Sequence, residues 1–281
     1  MRARPSSAFL MASLVGCLLT GGVLTSTVPA VASPQTDEPP KVRLVKDTER
    51  VVLGRSVQGR RIVAHRKGTP GARHRVVLLG QIHGDERAGV TTAKAARRLR
   101  VRSDTEVWVI PTMNPDGHAA RTRTNARGVD LNRNWPMNWR RTTRGTTWSG
   151  PRAKSEPETR IMLRFLKKVR PTYVVSLHQP FGEVGFTDDK PKAFQRRLAR
   201  ALGLPLADIG IGGPVPRPMS RAEERARGLQ PGGGNNLPTL TGWYNAKYPG
   251  TAITVELTPK PPKHFVEHQA PRAILRATEV R

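Results

Sequence analysis

Val76-Val77-Leu78-Leu79-Gly80-Gln81-Ile82-His83-Gly84-Asp85-Glu86 opens on an apolar run and closes on a polar turn. An unbroken apolar run of this length reads as a strand buried on both faces, the kind that lies inside a sheet covered by helices. His83 and Glu86 follow at the strand end. A second run, Tyr173-Val174-Val175-Ser176-Leu177, closes on His178, and a third, Ala252-Ile253-Thr254-Val255, closes on Glu256. His83, Glu86 and His178 together offer three protein ligands and leave a fourth position for water, the arrangement of a catalytic zinc. The chain has 7 His, and the other five lack a comparable setting of apolar strand followed by polar turn. Cys17 is the only cysteine, so a structural zinc site of the Cys type is excluded. One zinc per chain is expected.

Between the strands the pattern changes period. Residues 51–53 and 61–64 flank a Gly-containing turn and predict a hairpin at a sheet edge. Residues 88–99 read as a helix, 106–111 as a strand, 191–202 as a helix and 270–280 as a short terminal helix. Ser155 followed by Glu158 predicts a capping box ahead of the helical spacing Ile161, Met162, Phe165, Leu166, Val169, which Pro171 ends. Residues 114–154 show no periodicity, and loops of that length in compact domains are usually functional. Asn114-Pro115-Asp116-Gly117 reads as a turn. Residues 210–238, rich in Gly and Pro, read as a rim loop. Alternating strands and helices give an α/β class.

The order His-x-x-Glu, Asn-Pro-Asp-Gly, Asp-x-Asn-Arg-Asn, His and Glu resembles the zinc metallocarboxypeptidases related to carboxypeptidase A. Within that family the likeness runs towards bacterial murein peptide amidases, through Asn125-Ala126-Arg127-Gly128-Val129-Asp130-Leu131-Asn132-Arg133-Asn134, Ser155-Glu156-Pro157-Glu158-Thr159 and Ser176-Leu177-His178-Gln179-Pro180. It covers residues 51–258, nearly all of the expected mature chain.

The resemblance implies a single domain, residues 46–281, built on a mixed, twisted sheet of about eight strands with helices on both faces. It implies His83, Glu86 and His178 as zinc ligands and Glu256 as the general base, a role that suits a carboxylate at a buried strand end. Asp130 is implied to accept the ring N–H of His83 from behind the metal. Asn132 and Arg133 match the clamp for a substrate carboxylate, which a planar guanidinium holds bidentately. Of Arg121, Arg123 and Arg127, the motif spacing favours Arg123 beside the transition-state oxyanion. Tyr244 is the expected substrate-contacting tyrosine, although it stands nearer to Glu256 in sequence than the digestive members' pattern has it. The implied activity is hydrolysis of an amide bond next to a free carboxylate, in a peptide or muropeptide and at the γ-D-glutamyl–diaminopimelate link. General carboxypeptidase action, deacylation of N-acyl amino acids and non-catalytic binding of wall peptides are the alternatives.

Residues 1–32 read as an export signal, with Arg2 and Arg4 in the charged start and Ala30-Val31-Ala32 as a cleavage site rather than a transmembrane span. Leu14-Val15-Gly16-Cys17 has the shape of a lipoprotein site, but the apolar stretch continues past Cys17 and favours ordinary secretion. Residues 33–45 read as a flexible lead-in. With 48 Lys and Arg against 21 Asp and Glu, the net charge is +27, which draws the protein towards polyanions. For an exported chain the expected polyanions are anionic cell-wall polymers or lipid head groups. Aromatic residues make up only 5% and do not interleave with the basic runs, so specific binding of nucleic acid is not expected.

Overall fold

The structure, a computed structural model, describes residues 42–46, 48–187, 189–207 and 237–279, all within the unit spanning residues 41–281. The expected export signal with Cys17, and nearly all of the expected rim loop, lie outside the described residues. The strands are β1 (Leu44–Val45), β2 (Thr48–Arg55), β3 (Arg61–Gly68), β4 (His74–Leu79), β5 (Val101–Arg102), β6 (Thr105–Ile110), β7 (Tyr173–His178), β8 (Glu183–Gly185), β9 (Leu206–Ala207) and β10 (Thr251–Glu256). The helices are α1 (Ala88–Ala96), α2 (Pro115–Ala120), α3 (Pro157–Val169), α4 (Lys192–Leu202), α5 (Leu240–Lys247) and α6 (Ala270–Thr278).

Eight strands form one mixed sheet in the order β2-β3-β6-β4-β7-β10-β8-β9. The expected hairpin is present as β2 and β3, which pair antiparallel with an irregularity between Val52 and Gly54. At the centre, β6, β4, β7 and β10 run parallel. Their side chains alternate between two cores, as the strand period demands. Val77 and Leu79 point to one face with Trp108, Met162, Phe165 and Trp243, whereas Leu78, Val175 and Leu177 join Phe194, Leu198 and Ile274 on the other. Helix α3 covers the first face with Ile161, Met162, Phe165 and Leu166, and its C-cap Arg170 adopts the left-handed conformation just before Pro171. Helix α4 covers the second with Phe194, Leu198 and Leu202, and it ends on Gly203 at φ +66°, where a residue without Cβ costs little.

Three expectations change. The capping box does not form: Glu156 is the N-cap of α3 and makes no side-chain cap. Ser155 Oγ instead donates to Glu156 Oε1, and Glu158 accepts from Val57 N and Asn125 Nδ2, so tertiary partners take the groups that would have capped the helix. Asn114-Pro115-Asp116-Gly117 starts α2, with the Asn114 side chain accepting from Gly117 N as its cap. The last residues of the expected lead-in are a strand, since β1 pairs antiparallel with β5. Among the described residues no helix is long and apolar enough to cross a membrane.

Helix α1 follows the ligand turn and sits close against the sheet because Gly89 faces it. A Cβ on Gly89 would lie 1.9 Å from Gly80 O and 2.9 Å from Leu177 Cβ. Gly89→Ala therefore forces the helix away from β4 and β7. Overpacking of this kind costs about 1–3 kcal/mol, which in a domain of this size lowers Tm by roughly 2–4 °C per kcal/mol. Calorimetry of the variant beside the parent protein checks it, and an unchanged Tm contradicts the contact.

Candidate metal centre and active site

Parallel strands point their carboxyl ends the same way, and the described site is built where β4, β7 and β10 end. His83 and Glu86 occupy the turn after β4, His178 is the last residue of β7, and Glu256 is the last of β10, in register with His178. The turn after β4 is held from beneath by Gln81, whose Nε2 donates to the carbonyls of Gly84 and Glu86 at 3.0 and 3.1 Å. Gly84 lies so close to α2 that a Cβ there would fall 2.0 Å from the Gly117 carbonyl carbon.

His83 Nδ1, His178 Nδ1 and the Glu86 carboxylate converge. The two ring nitrogens are 3.2 Å apart, and Glu86 Oε1 is 2.6 Å from His83 Nδ1. One ligand atom from each residue lies within 4.8 Å of the other two. The outer ring nitrogens are spoken for: His83 Nε2 donates to Asp130 Oδ1 at 3.1 Å and His178 Nε2 shares a hydrogen bond with Ser176 Oγ at 3.2 Å. Those contacts orient both rings so that their Nδ1 atoms face the centre. All three residues are buried, and Glu86 Oε2 lies 3.0 Å from His178 Nδ1 with no other polar partner among the described residues. Burial opposes charge on His83, yet Asp130 and Glu86 outweigh it and raise its pKa to about 9. Burial likewise opposes charge on Glu86, and the two histidines hold it down at about 2. A buried set of two imidazoles and a carboxylate, with nitrogen and oxygen donors facing one another and an orphaned oxygen among them, fits a zinc ion.

Asp130 joins the strand ends to the long loop. It is fully buried, accepts from His83 Nε2, from Asn132 N at 2.8 Å, and from Arg123 Nε and Nη2 at 3.2 and 2.9 Å. Burial works against its charge, but His83 and Arg123 prevail and hold the carboxyl far below the ordinary range. Arg123 thereby reaches the centre, with Nη1 3.5 Å from Glu86 Oε1. The other two candidate arginines stay away. Arg121 is the exposed C-cap of α2, and Arg127 lies by Glu156 in another cavity.

A cavity of about 410 Å³ opens over this centre. His83, Glu86, His178, Arg123, Asn132, Arg133 and Glu256 all line it, beside Phe181, Phe186, Thr241 and Thr254. Asn132 Oδ1 accepts from Leu240 N at 3.1 Å, which turns its Nδ2 donor to the cavity side without a protein partner among the described residues. Arg133 Nη1 donates to the Asn132 carbonyl, and burial lowers the pKa of its guanidinium. Burial raises the Glu256 carboxyl, and its Oε2 has no hydrogen-bond partner.

Tyr244 is the one expected site residue that the structure keeps out. It is fully buried in the core, stacks on Tyr248 and donates its hydroxyl to the Pro171 carbonyl. Helix α5 turns this side chain to the sheet, and its neighbour Asn245 lines the cavity instead. The buried amides went unrecognised in the sequence. Asn114 Nδ2 donates to Ile82 O, Asn125 Oδ1 accepts from the backbone of Arg127 and Val129, and Asn134 Nδ2 donates to Ser149 O and Ser155 Oγ. Their sequence signal is the recurrence of Asn through a long loop poor in apolar residues, where amides replace a hydrophobic core as the source of order.

Metal analysis of the purified protein after zinc loading is expected to give one zinc per chain. His178→Ala removes a ligand and should abolish stoichiometric binding. Asp130→Ala leaves all three ligands but frees the His83 ring, and should weaken zinc by roughly 10–100-fold in a competition titration. Equal affinity in Asp130→Ala and the parent contradicts the described hydrogen bond.

Comparison with known proteins agrees with this geometry. Residues 45–180 match the family model for zinc carboxypeptidase. Murein peptide amidase A of Escherichia coli (strain K12) is 34% identical over 143 residues, which is 46% of this chain and 58% of that protein. The human carboxypeptidase N catalytic chain is 27% identical over 186 residues, 52% of this chain and 40% of that one. The chain thus spans less than two thirds of either relative. Among solved structures, murein-tripeptide amidase from Escherichia coli O157 superposes with a TM-score of 0.61 at 22% identity, over 83% of this chain and 92% of that chain. Carboxypeptidase A from Helicoverpa armigera gives 0.61 at 16% identity, over 82% and 68%. Residues 45–180 thus match the zinc carboxypeptidase family, and the sheet and the placement of His83, Glu86 and His178 agree with that match.

Proposed function

We propose that the protein is a zinc-dependent hydrolase that cuts an amide bond next to a free carboxylate. The observation that carries this reading is the lining of one cavity by the ligand set, by the unpartnered Glu256 carboxylate and by the Asn132–Arg133 pair. Zinc held by His83, Glu86 and His178 supplies a Lewis acid that polarises a carbonyl and acidifies water. Glu256 takes a proton from the attacking water and returns it to the departing nitrogen. Arg133 and the Asn132 amide hold the carboxylate of the leaving residue, and Arg123, fixed by Asp130, faces the negative charge that grows on the carbonyl oxygen.

The substrate we infer is a cell-wall peptide, cut at the γ-D-glutamyl–diaminopimelate link by an exported enzyme. Two features favour it over trimming of basic residues from ordinary peptides. Glu86 and Glu256 are the only acidic side chains lining the cavity among the described residues, so none remains to pair with a cationic side chain. The inner wall carries the hydroxyls of Thr241 and Thr254, 3.3 Å apart, while Asn245 spends its amide on the backbone of Ala252. Hydroxyls both donate and accept, which suits the ammonium and carboxylate at the far end of diaminopimelate. The bacterial relatives named as murein peptide amidases support the same choice.

Glu256→Gln keeps shape and removes the base. Zinc content should be unchanged and kcat should fall by at least roughly 10²–10⁴-fold. In the parent, Glu256 must be ionised to act. Burial raises its pKa, so the acid limb of the kcat/KM profile should lie above the ordinary carboxylate pKa of about 4.3, with activity rising as pH climbs through it. Normal turnover by Glu256→Gln assigns the wrong carboxylate.

Incubation with a wall tripeptide ending in diaminopimelate should release free diaminopimelate, read by mass spectrometry. Amidating the carboxylate next to the scissile bond strands Arg133 and should cost about 2–5 kcal/mol. That lowers kcat/KM some 30- to several thousand-fold, at about 1.4 kcal/mol per tenfold. Arg133→Ala should cleave both substrates at nearly equal, low rates. An amidated substrate cut as fast as the free acid by the parent rules out recognition through that carboxylate.

A further inference from the structure

A second cavity, of about 440 Å³, lies on the long loop at Arg127, Arg144, Trp148, Arg152 and Glu156. Its charge is lopsided, with three guanidiniums against one carboxylate. Glu156 is already committed: it is 1% exposed, Oε1 accepts from Ser155 Oγ at 2.7 Å and Oε2 from Asn125 Nδ2 at 2.8 Å. Arg127 Nη1 stands 3.6 Å from the same Oε2. Among the described residues neither Arg144 nor Arg152 has a carboxylate within ion-pair distance. Arg144 instead covers the Trp148 ring, its guanidinium carbon 4.4 Å from the ring centre.

The wall is fixed by the buried amides of the loop. Arg127 N donates to Asn125 Oδ1 at 3.0 Å, Trp148 O accepts from Asp130 N at 2.8 Å, and Arg152 O accepts from Asn134 Nδ2 at 3.1 Å. Arg127 and Arg152 therefore start from backbone positions set by a hydrogen bond, and Arg144 and Arg152 face a concavity whose one lining carboxylate among the described residues, Glu156, is already engaged. Such an arrangement is stabilised by an anion, and planar guanidiniums around a pocket match the oxygens of a phosphate. The lining carries an excess of two positive charges, which one phosphate dianion or two successive phosphodiesters of a polymer balance.

We propose that this cavity is a binding site for a phosphate group, held by Arg144 and Arg152 with Arg127 at its edge. Two sources share that chemistry, a free phosphate ion and a phosphodiester within a polymer. The proposal does not depend on the hydrolase reading, and its test needs no catalysis.

Titration calorimetry at constant ionic strength, first with inorganic phosphate and then with a short glycerol phosphate oligomer, tests it on the zinc-loaded protein. Saturable binding is expected for at least one probe. Tighter binding of the oligomer, per phosphate, identifies the polymer as the source, and tighter binding of the ion identifies the free anion. The double variant Arg144→Ala, Arg152→Ala should weaken the bound probe by about tenfold or more, the loss typical of charge-assisted contacts. The control Arg196→Ala, Arg200→Ala on the exposed face of α4 removes the same charge and should change it less than about twofold, as screened surface charges do. Arg152→Lys keeps the charge and loses the planar fork, and should fall between. The circular dichroism spectrum and Tm of the double variant should match the parent, which shows that it is folded. Absence of saturable binding by either probe, or equal weakening in the double variant and the control, overturns the proposal.

Discussion

The parallel pairing of β4, β7 and β10 is the constraint on which the site rests. Parallel neighbours end at the same edge of a sheet, so residues far apart in sequence are delivered side by side with no extra device. The strands that carry them are buried on both faces, and each core packs against its own helices. A metal ligand on such a frame moves little. That is what a centre made of two imidazoles and a carboxylate needs, because donor positions must be held against their mutual repulsion.

Asp130 extends this order from the sheet into the loop. Its four hydrogen bonds reach a metal ligand, a backbone N–H next to the carboxylate clamp, and Arg123. A buried carboxylate with so many donors stays ionised, and in staying ionised it orients each of them. The same residue sets the tautomer of His83, the place of Arg123 and the start of the short turn Leu131–Arg133. Behind it, Asn114, Asn125 and Asn134 satisfy the backbone of a segment that has few ladder bonds of its own. Polar order of this kind lets a loop keep one shape while exposing charged side chains, and both cavities borrow their walls from it.

The departures from expectation share a cause. Ser155 and Glu158 have capping-box spacing, but Asn134, Asn125 and Val57 compete for the same atoms and win. Tyr244 has the chemistry of a substrate contact, yet the face of α5 that carries it is the one packed on Tyr248 and Trp243. In each case a local motif met a tertiary partner that local spacing does not encode.

Periodicity alone determined the α/β class and the strands behind His83, His178 and Glu256, because burial on both faces leaves an unbroken apolar run that no loop mimics. The motif order, read as a resemblance, added the eight-stranded sheet and the expectation that Asp130, Asn132, Arg123 and Arg133 gather near the metal residues. Only the tertiary structure decided which aromatic residue stays in the core, how Asp130 fixes Arg123, and that Gln81 and the asparagines hold the loop. Those outcomes depend on which groups meet across tens or hundreds of residues, and a hydrogen bond formed at that range leaves no period in the chain.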